Sequence, residues 1–311
     1  MNNNNFTIIS FYQFRKLKNL LQLKKIFLDF CSFNKLRGTI LIAQEGINGT
    51  VAGFENSVKK FEKMIDLKGF KKIEKKYSFY KYMPFNRLKI KVKKEIITFS
   101  NINLNVQKKT AKYIEPHKWN QIINNKDILL LDVRNDFEYK LGTFEKSFNP
   151  KINNFSKFKK FVEEKLQAQK NKQIAMFCTG GIRCEKASSY MLDLGFKNLF
   201  QLKGGILKYL EEVPKKNSKW QGECFVFDNR VSVKNELKNG TYKLCHGCRV
   251  PLSTTDCKSN KYEKGVSCSK CYDKLSDEKK RRLRQRNKQI EIAKKKGIYN
   301  PYINYTTSNF F

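Results

Sequence analysis

The residues best suited to covalent chemistry form the stretch Cys178-Thr-Gly-Gly-Ile-Arg183-Cys184. It follows the apolar run Ile174 to Phe177 and opens an amphipathic segment that ends at Gly195, a pattern that predicts a strand, a tight loop and a helix. Backbone N–H groups of such a loop and the positive end of the helix converge on one point, where a thiol is shifted toward its thiolate. Cys178 is therefore the candidate nucleophile, and the alternative is a cysteine buried for packing at a strand end.

The neighbours of Cys178 have predicted roles as well. Arg183 is predicted to balance an anionic sulfur or to contact an RNA phosphate, and the alternative is a solvent-exposed arginine at a helix start. Cys184 falls in the first helical turn, where it would either resolve an oxidised Cys178 as a disulfide or pack in the core. The loop backbone that would surround the sulfur belongs to Thr179, Gly180, Gly181 and Ile182.

The elements around this loop form an α/β pattern. Apolar strands alternate with helical segments from Pro116 to Val213, which predicts a mainly parallel, doubly wound sheet. The run Ile128 to Val133 is continuously apolar, as in a strand buried on both faces. Asp132 and Arg134 lie at its carboxyl end, where open α/β sheets bind ligands, and are further candidate catalytic residues.

The N-terminal part has a different pattern. Residues 6 to 100 alternate short strands and helices in the order βαββαβ, which predicts a ferredoxin-like layer of two helices on an antiparallel sheet. Within it, the glycines and asparagine of Gln44 to Thr50 suit a tight connection into a strand.

Four cysteines form a candidate metal site. Cys245 and Cys248 make one Cys-x-x-Cys knuckle, and Cys268 and Cys271 make a second knuckle that nineteen residues separate from the first. Tetrahedral zinc takes four such ligands in small modules that cannot otherwise hold a core. A zinc ribbon is predicted, and the alternatives are a reduced, metal-free relic or a redox pair. His246, inside the first knuckle, is interpreted as a turn residue or an RNA contact.

The segment from Ser276 to Gly297 predicts a basic helix, with Ser276 as its cap, acidic residues in the first turn and glycine at the end. Such a helix would lay positive charge along a phosphate backbone, and the alternative is a solvated surface. The candidate RNA-binding residues are Lys279, Lys280, Arg281, Arg282, Arg284, Arg286 and Lys288.

Composition supports a polyanionic partner. The 311 residues carry 64 Lys+Arg against 28 Asp+Glu, a formal charge of +36, although drift toward A/T-rich codons explains part of the lysine excess. No apolar run is long enough for a membrane span and the first residues lack a signal peptide's features, so a cytoplasmic protein is expected. Nine cysteines without such a signal indicate thiols and metal ligands.

These patterns together predict an α/β multidomain chain. The predicted domains are a ferredoxin-like (acylphosphatase-like) domain at 1–100, a linker at 101–114, a doubly wound domain at 115–215, a hairpin with a four-cysteine zinc-ribbon-like module at 216–275, and a basic helix with a tail at 276–311.

The thiol loop resembles that of the rhodanese superfamily, supported by Asp132-Val-Arg134 with Glu138 and by Gly204-Gly205-Ile206. Read in order, the motifs of nearly the whole chain resemble one family, the rhodanese-domain tRNA uridine hydroxylases. They are Gln44 to Thr50, Asp132 to Glu138, Cys178 to Ala187, Gly222 to Asp228 and the two cysteine knuckles.

The resemblance implies formation of 5-hydroxyuridine at the wobble position of tRNA with molecular oxygen, and it makes Cys178 the active-site cysteine, a persulfide carrier by analogy. Four residues separate Cys178 from Arg183, one fewer than in related phosphatase loops, which favours sulfur chemistry over phosphate. With only His117 and His246, a two-histidine iron site cannot form at the loop, and no Gly-x-Gly-x-x-Gly run suggests a flavin or nicotinamide site. From the residues alone, a sulfurtransferase or persulfide carrier acting on RNA and a non-catalytic RNA-binding protein remain alternatives.

Overall fold

The computed structural model describes residues 5–71, 73–100, 102 and 104–296. Gly297, the predicted end of the basic helix, and the tail after it lie outside the described residues. The chain divides into two compact units, the first formed by the residues up to Val226 with Val233–Asn239, the second by Phe227–Ser232 with the residues from Gly240 on. Among the described residues, no helix combines the length and the apolar character needed to cross a membrane.

The first unit begins with a ferredoxin-like domain, as predicted. Its elements are β1 (Phe6–Phe14), α1 (Leu20–Phe33), β2 (Arg37–Ala43), β3 (Gly46–Gly53), α2 (Glu55–Leu67), β4 (Glu74–Tyr80) and β5 (Leu88–Val92). The sheet order is β4-β1-β3-β2-β5, antiparallel except for the parallel pair of β2 and β5. Phe27 and Phe61, which are fully buried, pack the helices onto the sheet.

The tight connection predicted in Gln44 to Thr50 is present but shorter than expected, because only Gln44 and Glu45 join β2 to β3, which already begins at Gly46. A side chain at Gly46 would lie 2.1 Å from the carbonyl oxygen of Gln13 on β1, and its φ of +151° is one that L residues rarely adopt. Glycine at this position therefore lets β3 approach β1 closely. The same residue types are also typical of turns, so the sequence alone does not show whether this glycine lies in a turn or in a strand.

The second domain of this unit is the predicted parallel α/β domain. Its elements are β6 (Lys112–Ile114), α3 (Pro116–Asn124), β7 (Ile128–Asp132), α4 (Asp136–Leu141), β8 (Gly142–Phe144), α5 (Phe158–Phe161), β9 (Gln173–Phe177), α6 (Ile182–Asp193), β10 (Asn198–Leu202) and α7 (Gly205–Glu212). The four-stranded sheet has the order β6-β10-β9-β7 and is parallel throughout.

Both faces of the parallel sheet are covered, which confirms the doubly wound prediction. Leu131 and Met176 point into a core with Phe158 of α5 and Met191 of α6. The alternate residues of the same strands face a second core that contains Trp119 of α3 and Tyr209 of α7. Helix α6 was predicted to be amphipathic, but it has no exposed face over most of its length, since every residue from Ile182 to Met191 is buried.

Short strands follow this domain, namely β11 (Trp220–Gly222), β12 (Cys224–Phe225) and β13 (Ser232–Val233). Strand β11 pairs antiparallel with β8, and Trp220 packs in the second core. The predicted boundary at residue 216 therefore does not coincide with the division between the two units, because strand pairing holds β11 on the first.

The second unit contains the cysteine knuckles, the strands β14 (Lys243–Leu244) and β15 (Pro251–Leu252), which pair antiparallel, and helix α8 (Asp277–Lys295). The Ser276 hydroxyl accepts a hydrogen bond from the N–H of Lys279 at 3.3 Å, so Ser276 caps α8 as predicted.

Candidate functional site

The candidate nucleophile lies where β9 gives way to α6. Cys178 is fully buried in the loop after β9. The N–H of Gly181 donates to the Cys178 sulfur at 3.2 Å, and Gly181 has a φ of +99°, a conformation in which glycine avoids strain. Of the four loop residues predicted from the sequence, Gly181 thus donates its N–H to the sulfur, and the N–H groups of Arg183 and Cys184 also contribute.

The start of α7 holds the outer side of the same loop. The N–H of Ile206 donates to the carbonyl of Cys178 at 2.9 Å, and the N–H of Leu207 donates to the carbonyl of Thr179 at 3.1 Å. A Cβ on Gly205 would lie 2.5 Å from the Cys178 carbonyl oxygen. Only glycine allows α7 to come this close, which explains the Gly204-Gly205-Ile206 motif.

The surroundings of the thiol favour its ionised form. Burial alone would raise the pKa of Cys178, but the Cys184 side chain, the positive charge of Arg183 and the N–H groups of both residues outweigh burial and lower the pKa from 9.0 to about 6. Burial and the hydrogen bond to Cys178 raise the pKa of Cys184 well above its usual value. A thiolate at Cys178 and a thiol donor at Cys184 therefore face each other, while participation of Cys184 in redox chemistry stays a prediction.

Arg183 is buried, which excludes the solvent-exposed alternative. Its guanidinium forms two hydrogen bonds of 2.7 Å with the carboxylate of Glu138 on α4. Glu138 also accepts a 3.3 Å hydrogen bond from the Thr179 hydroxyl, and Arg183 holds the pKa of Glu138 below its usual range despite complete burial. Glu138 belongs to a sequence motif but is not among the residues predicted for the site.

Asp132 and Arg134 are fully buried and bind each other. The Arg134 Nε and Nη2 donate to the two oxygens of Asp132 at 2.9 and 2.6 Å, and Nη2 also donates to the Gly142 carbonyl at 2.6 Å. The guanidinium lies 5.1 Å from the Trp220 ring centroid. This pair joins the end of β7 to β8 and β11, and a catalytic role for either residue stays a prediction.

The ferredoxin-like domain also contacts the active-site helix, through residues that the sequence analysis did not select. Lys186 on α6 is fully buried, and its ammonium contacts Glu95 at 2.6 Å and Glu45 at 2.9 Å. The Tyr12 hydroxyl donates to Glu185, the residue before Lys186, at 2.6 Å. The Gln44 to Thr50 and Cys178 to Ala187 motifs therefore meet through Glu45 and Lys186, a pairing that sequence distance concealed.

The four predicted metal ligands lie together in the second unit, each sulfur within 4.8 Å of the others. The Cys245–Cys271, Cys248–Cys268 and Cys268–Cys271 sulfur distances are 3.7, 3.6 and 3.8 Å. Tetrahedral zinc with Zn–S bonds of about 2.3 Å requires sulfurs about 3.8 Å apart, so the residues fit that metal. The group consists of these four cysteines and does not include His246.

Some of the predicted RNA-binding residues on α8 are open to solvent, and others contact residues of the cysteine module. Lys279, Arg281, Arg282 and Lys288 are exposed. Arg284 is bound instead to Glu263 by two hydrogen bonds of 2.6 Å, and the Lys280 ammonium lies 4.1 Å from the Tyr272 ring centroid. Arg286 is half-buried. Part of the predicted RNA-binding set thus attaches the helix to the cysteine module.

A parallel sheet with a cysteine in its strand-to-helix loop, joined to a ferredoxin-like domain, defines a multidomain protein of the rhodanese-like class. Residues 6–96 match the model of the UPF0176 acylphosphatase-like domain, and residues 115–212 match that of the rhodanese-like domain. A rhodanese-related protein of Thermoplasma volcanium is similar over 33% of this chain and 93% of its own, with 28% identity and a TM-score of 0.27.

Curated relatives extend the similarity to nearly the whole chain. The tRNA uridine(34) hydroxylase of Teredinibacter turnerae is 46% identical over 293 residues, 94% of this chain and 91% of that protein. The protein of the same name from Pelagibacter ubique is 49% identical over 296 residues, 94% of this chain and 96% of that protein. The chain belongs to the tRNA uridine(34) hydroxylase family, which confirms the resemblance found in its motifs.

Proposed function

We propose that this protein hydroxylates the wobble uridine of tRNA, residue 34, to 5-hydroxyuridine with molecular oxygen as co-substrate. The observation that carries the proposal is 46–49% identity over 94% of the chain with two proteins named tRNA uridine(34) hydroxylase. A tRNA substrate agrees with the formal charge of +36 and implies a cytoplasmic protein.

Cys178 is the nucleophile in this proposal. Its low pKa makes it largely thiolate at neutral pH, the form in which sulfur attacks or carries a second sulfur. Arg183 supplies positive charge beside it, and Glu138 fixes the guanidinium by two hydrogen bonds. Asp132 and Arg134 hold the strand ends on which the loop rests.

The cysteine module is proposed to bind one structural zinc ion through Cys245, Cys248, Cys268 and Cys271. The mutual sulfur distances support this assignment. Zinc would stabilise a module with little apolar core of its own, because four metal bonds replace packing there. Purified protein is expected to contain one zinc per chain, and protein without stoichiometric metal would contradict the assignment.

The exposed face of α8 is proposed to contact the tRNA backbone. Lys279, Arg281, Arg282 and Lys288 offer cations that are open to solvent on one helix. Such contacts release counterions and carry no base specificity. The base would be selected at the thiol loop.

The test is nucleoside analysis of tRNA from a strain that lacks its own routes to 5-hydroxyuridine. The wild-type protein should restore this nucleoside under air and not under anoxia, and Cys178→Ser should abolish it. Cys257→Ser is the matched control, since this half-buried thiol lies outside the four-cysteine group.

Other products would refute the proposal in distinct ways. A thiolated uridine in place of 5-hydroxyuridine would identify a sulfurtransferase. If Cys178→Ser left the hydroxylated nucleoside unchanged, the thiol loop would not be the active site, and bound but unmodified tRNA would identify an RNA-binding protein.

A further inference from the structure

Two buried thiols contact each other at the start of α6. Cys178 and Cys184 are both fully buried and belong to the same core of the parallel sheet. The Cys178 sulfur accepts a hydrogen bond from the Cys184 side chain and another from the Cys184 backbone N–H. That N–H also lies 3.0 Å from the Gly181 carbonyl oxygen, within the first turn of the helix. Because one residue reaches the sulfur with both its backbone and its side chain, the two sulfurs are neighbours in space.

The two thiols differ in charge, and the difference depends on their contact. Burial raises the pKa of both sulfurs, and the hydrogen bond between them raises the pKa of Cys184 and lowers that of Cys178. The positive charge of Arg183 acts to lower the pKa of both. If oxidation removes the negative charge from Cys178, Cys184 loses the partner that keeps it protonated and retains the influence of Arg183. Cys184 then becomes the sulfur that ionises, as a resolving thiol must.

The proposed hydroxylation requires a source of two electrons. When one oxygen atom of O₂ enters the C5–H bond of uridine, the second atom has to be reduced to water. This reduction consumes two electrons and two protons, which the base does not supply. The oxidation of two thiols to a disulfide releases two electrons. A dithiol beside the nucleophilic sulfur therefore matches the requirement in both number and position.

We propose that the Cys178–Cys184 dithiol is the electron donor of the hydroxylation and closes to a disulfide once in each turnover. The C5–H and O–O bonds break, and the C5–O and S–S bonds form. The second oxygen atom leaves as water with one proton from Cys184 and one from solvent, because Cys178 reacts as the thiolate. An external dithiol then reduces the disulfide by thiol–disulfide exchange. The inference rests on the proposed function and names the reductant of the same site.

The test is a single-turnover reaction of the full-length protein. The protein is reduced, freed of reductant under anoxia and mixed with an excess of tRNA that carries an unmodified uridine 34. Air is then admitted, and acid stops thiol exchange after a fixed time. Nucleoside analysis gives the yield of 5-hydroxyuridine. Trypsin cuts after Arg183, so the disulfide would join the peptide from Gln173 to Arg183 with the peptide from Cys184 to Lys186, and mass spectrometry measures the joined pair.

The wild-type protein should form at most one 5-hydroxyuridine per chain, with an equal amount of the joined peptides. Without tRNA, or under anoxia, the two peptides should stay separate. A small dithiol should raise the yield above one per chain, because it reduces the disulfide between turnovers. The equal yields in the wild type require no variant, so they test the inference even where a variant does not fold.

Cys184→Ser separates electron supply from positioning. Its hydroxyl still donates a hydrogen bond to the Cys178 sulfur but has no thiol to oxidise. The variant should melt like the wild type and lose single-turnover hydroxylation. If Cys184 only positioned the nucleophile, Cys184→Ser would hydroxylate tRNA and Cys184→Ala would not. Cys31→Ser is the matched control, since this fully buried thiol lies in the core of the ferredoxin-like domain, and its yields should equal those of the wild type.

Three results would overturn the inference. They are 5-hydroxyuridine formed without the joined peptides, hydroxylation by Cys184→Ser at the wild-type yield, and a disulfide that forms at the same rate without tRNA. Each of the first two would leave the proposed function standing, because the hydroxylated nucleoside is still made.

Failure of the proposed function itself would give a different result. Diamide, an oxidant of dithiols, should join the same two peptides without tRNA or air. If it does so while no 5-hydroxyuridine forms even with excess dithiol, the hydroxylation is refuted and the role of the dithiol as its electron donor is refuted with it. The two cysteines would then be a disulfide-forming pair of another reaction.

Discussion

The ionisation of Cys178 predicts a specific pH dependence of stability. Its pKa is about 6 in the folded protein against an ordinary 9.0, so the folded state favours the thiolate. An acid whose folded pKa is depressed adds stability that is complete above the unfolded pKa and is lost as the pH falls through the folded pKa. Three pKa units correspond to about 4 kcal/mol, of which about 2 kcal/mol is present at pH 7.5.

The perturbation is Cys178→Ser, which removes the thiolate and keeps a similar shape. The difference in free energy of unfolding between wild type and variant should grow by about 3 kcal/mol from pH 6 to pH 9. Urea unfolding under reducing conditions can be followed by tryptophan fluorescence, because Trp119 and Trp220 are the two tryptophans of the chain and both lie in one core of the parallel sheet. The signal thus reports the domain that carries the thiol.

Cys224→Ser is the matched control, since Cys224 lies in the core that contains both tryptophans and burial raises the pKa of its thiol to about 12. Its effect on stability should change by less than about 0.5 kcal/mol between pH 6 and pH 9, because the folded thiol stays neutral and the unfolded thiol, with a pKa of 9.0, is only half ionised at pH 9. A flat difference for Cys178→Ser as well would refute a depressed pKa and favour the alternative of a cysteine buried for packing.

Three further predictions concern the loop and the helix. Glu138→Gln should destabilise the protein by about 3 kcal/mol in urea unfolding, because it leaves a buried guanidinium without its charged partner, and an unchanged stability would contradict the pair's importance. Gly205→Ala should lower the melting temperature and abolish tRNA modification, since its Cβ would collide with the loop, whereas a Cβ at Gly180 meets nothing within 4 Å and Gly180→Ala should melt like wild type. Replacing exposed Arg281 and Lys288 by alanine should weaken tRNA binding and reduce the slope of log K against log salt by about 1 to 2, while an unchanged slope would remove α8 from the interface.

Local patterns explain why much of the fold could be predicted. The apolar run before Cys178 and the glycines after it specify a strand and a tight loop within about ten residues. The cysteine knuckles likewise carry their ligand spacing in the sequence. Such features depend on neighbours along the chain, and the structure confirms the parallel sheet and the grouping of the four sulfurs.

The remaining features depend on contacts between distant residues. Tyr12 and Glu185 are 173 positions apart, and Lys186 and Glu95 are 91 apart. A tyrosine in a strand and a lysine in a helix are ordinary in isolation, so nothing local marks them as partners. The position of Glu138 in the motif after β7 could have marked it as a site residue. Its partner, Arg183, could be identified only from the geometry of the thiol loop.

Helix α6 shows what these distant contacts do. Three of its charged residues, Arg183, Glu185 and Lys186, are buried, whereas apolar residues at such positions would often give equal or greater stability. Arg183 binds α4 within its own domain, and Glu185 and Lys186 bind the ferredoxin-like domain. Because these bonds are directional, they fix the register of two domains at the residues that follow Cys178. Helix α6 therefore carries buried charged residues where apolar ones would often pack better, and these residues set the position of the N-terminal domain relative to the Cys178 sulfur.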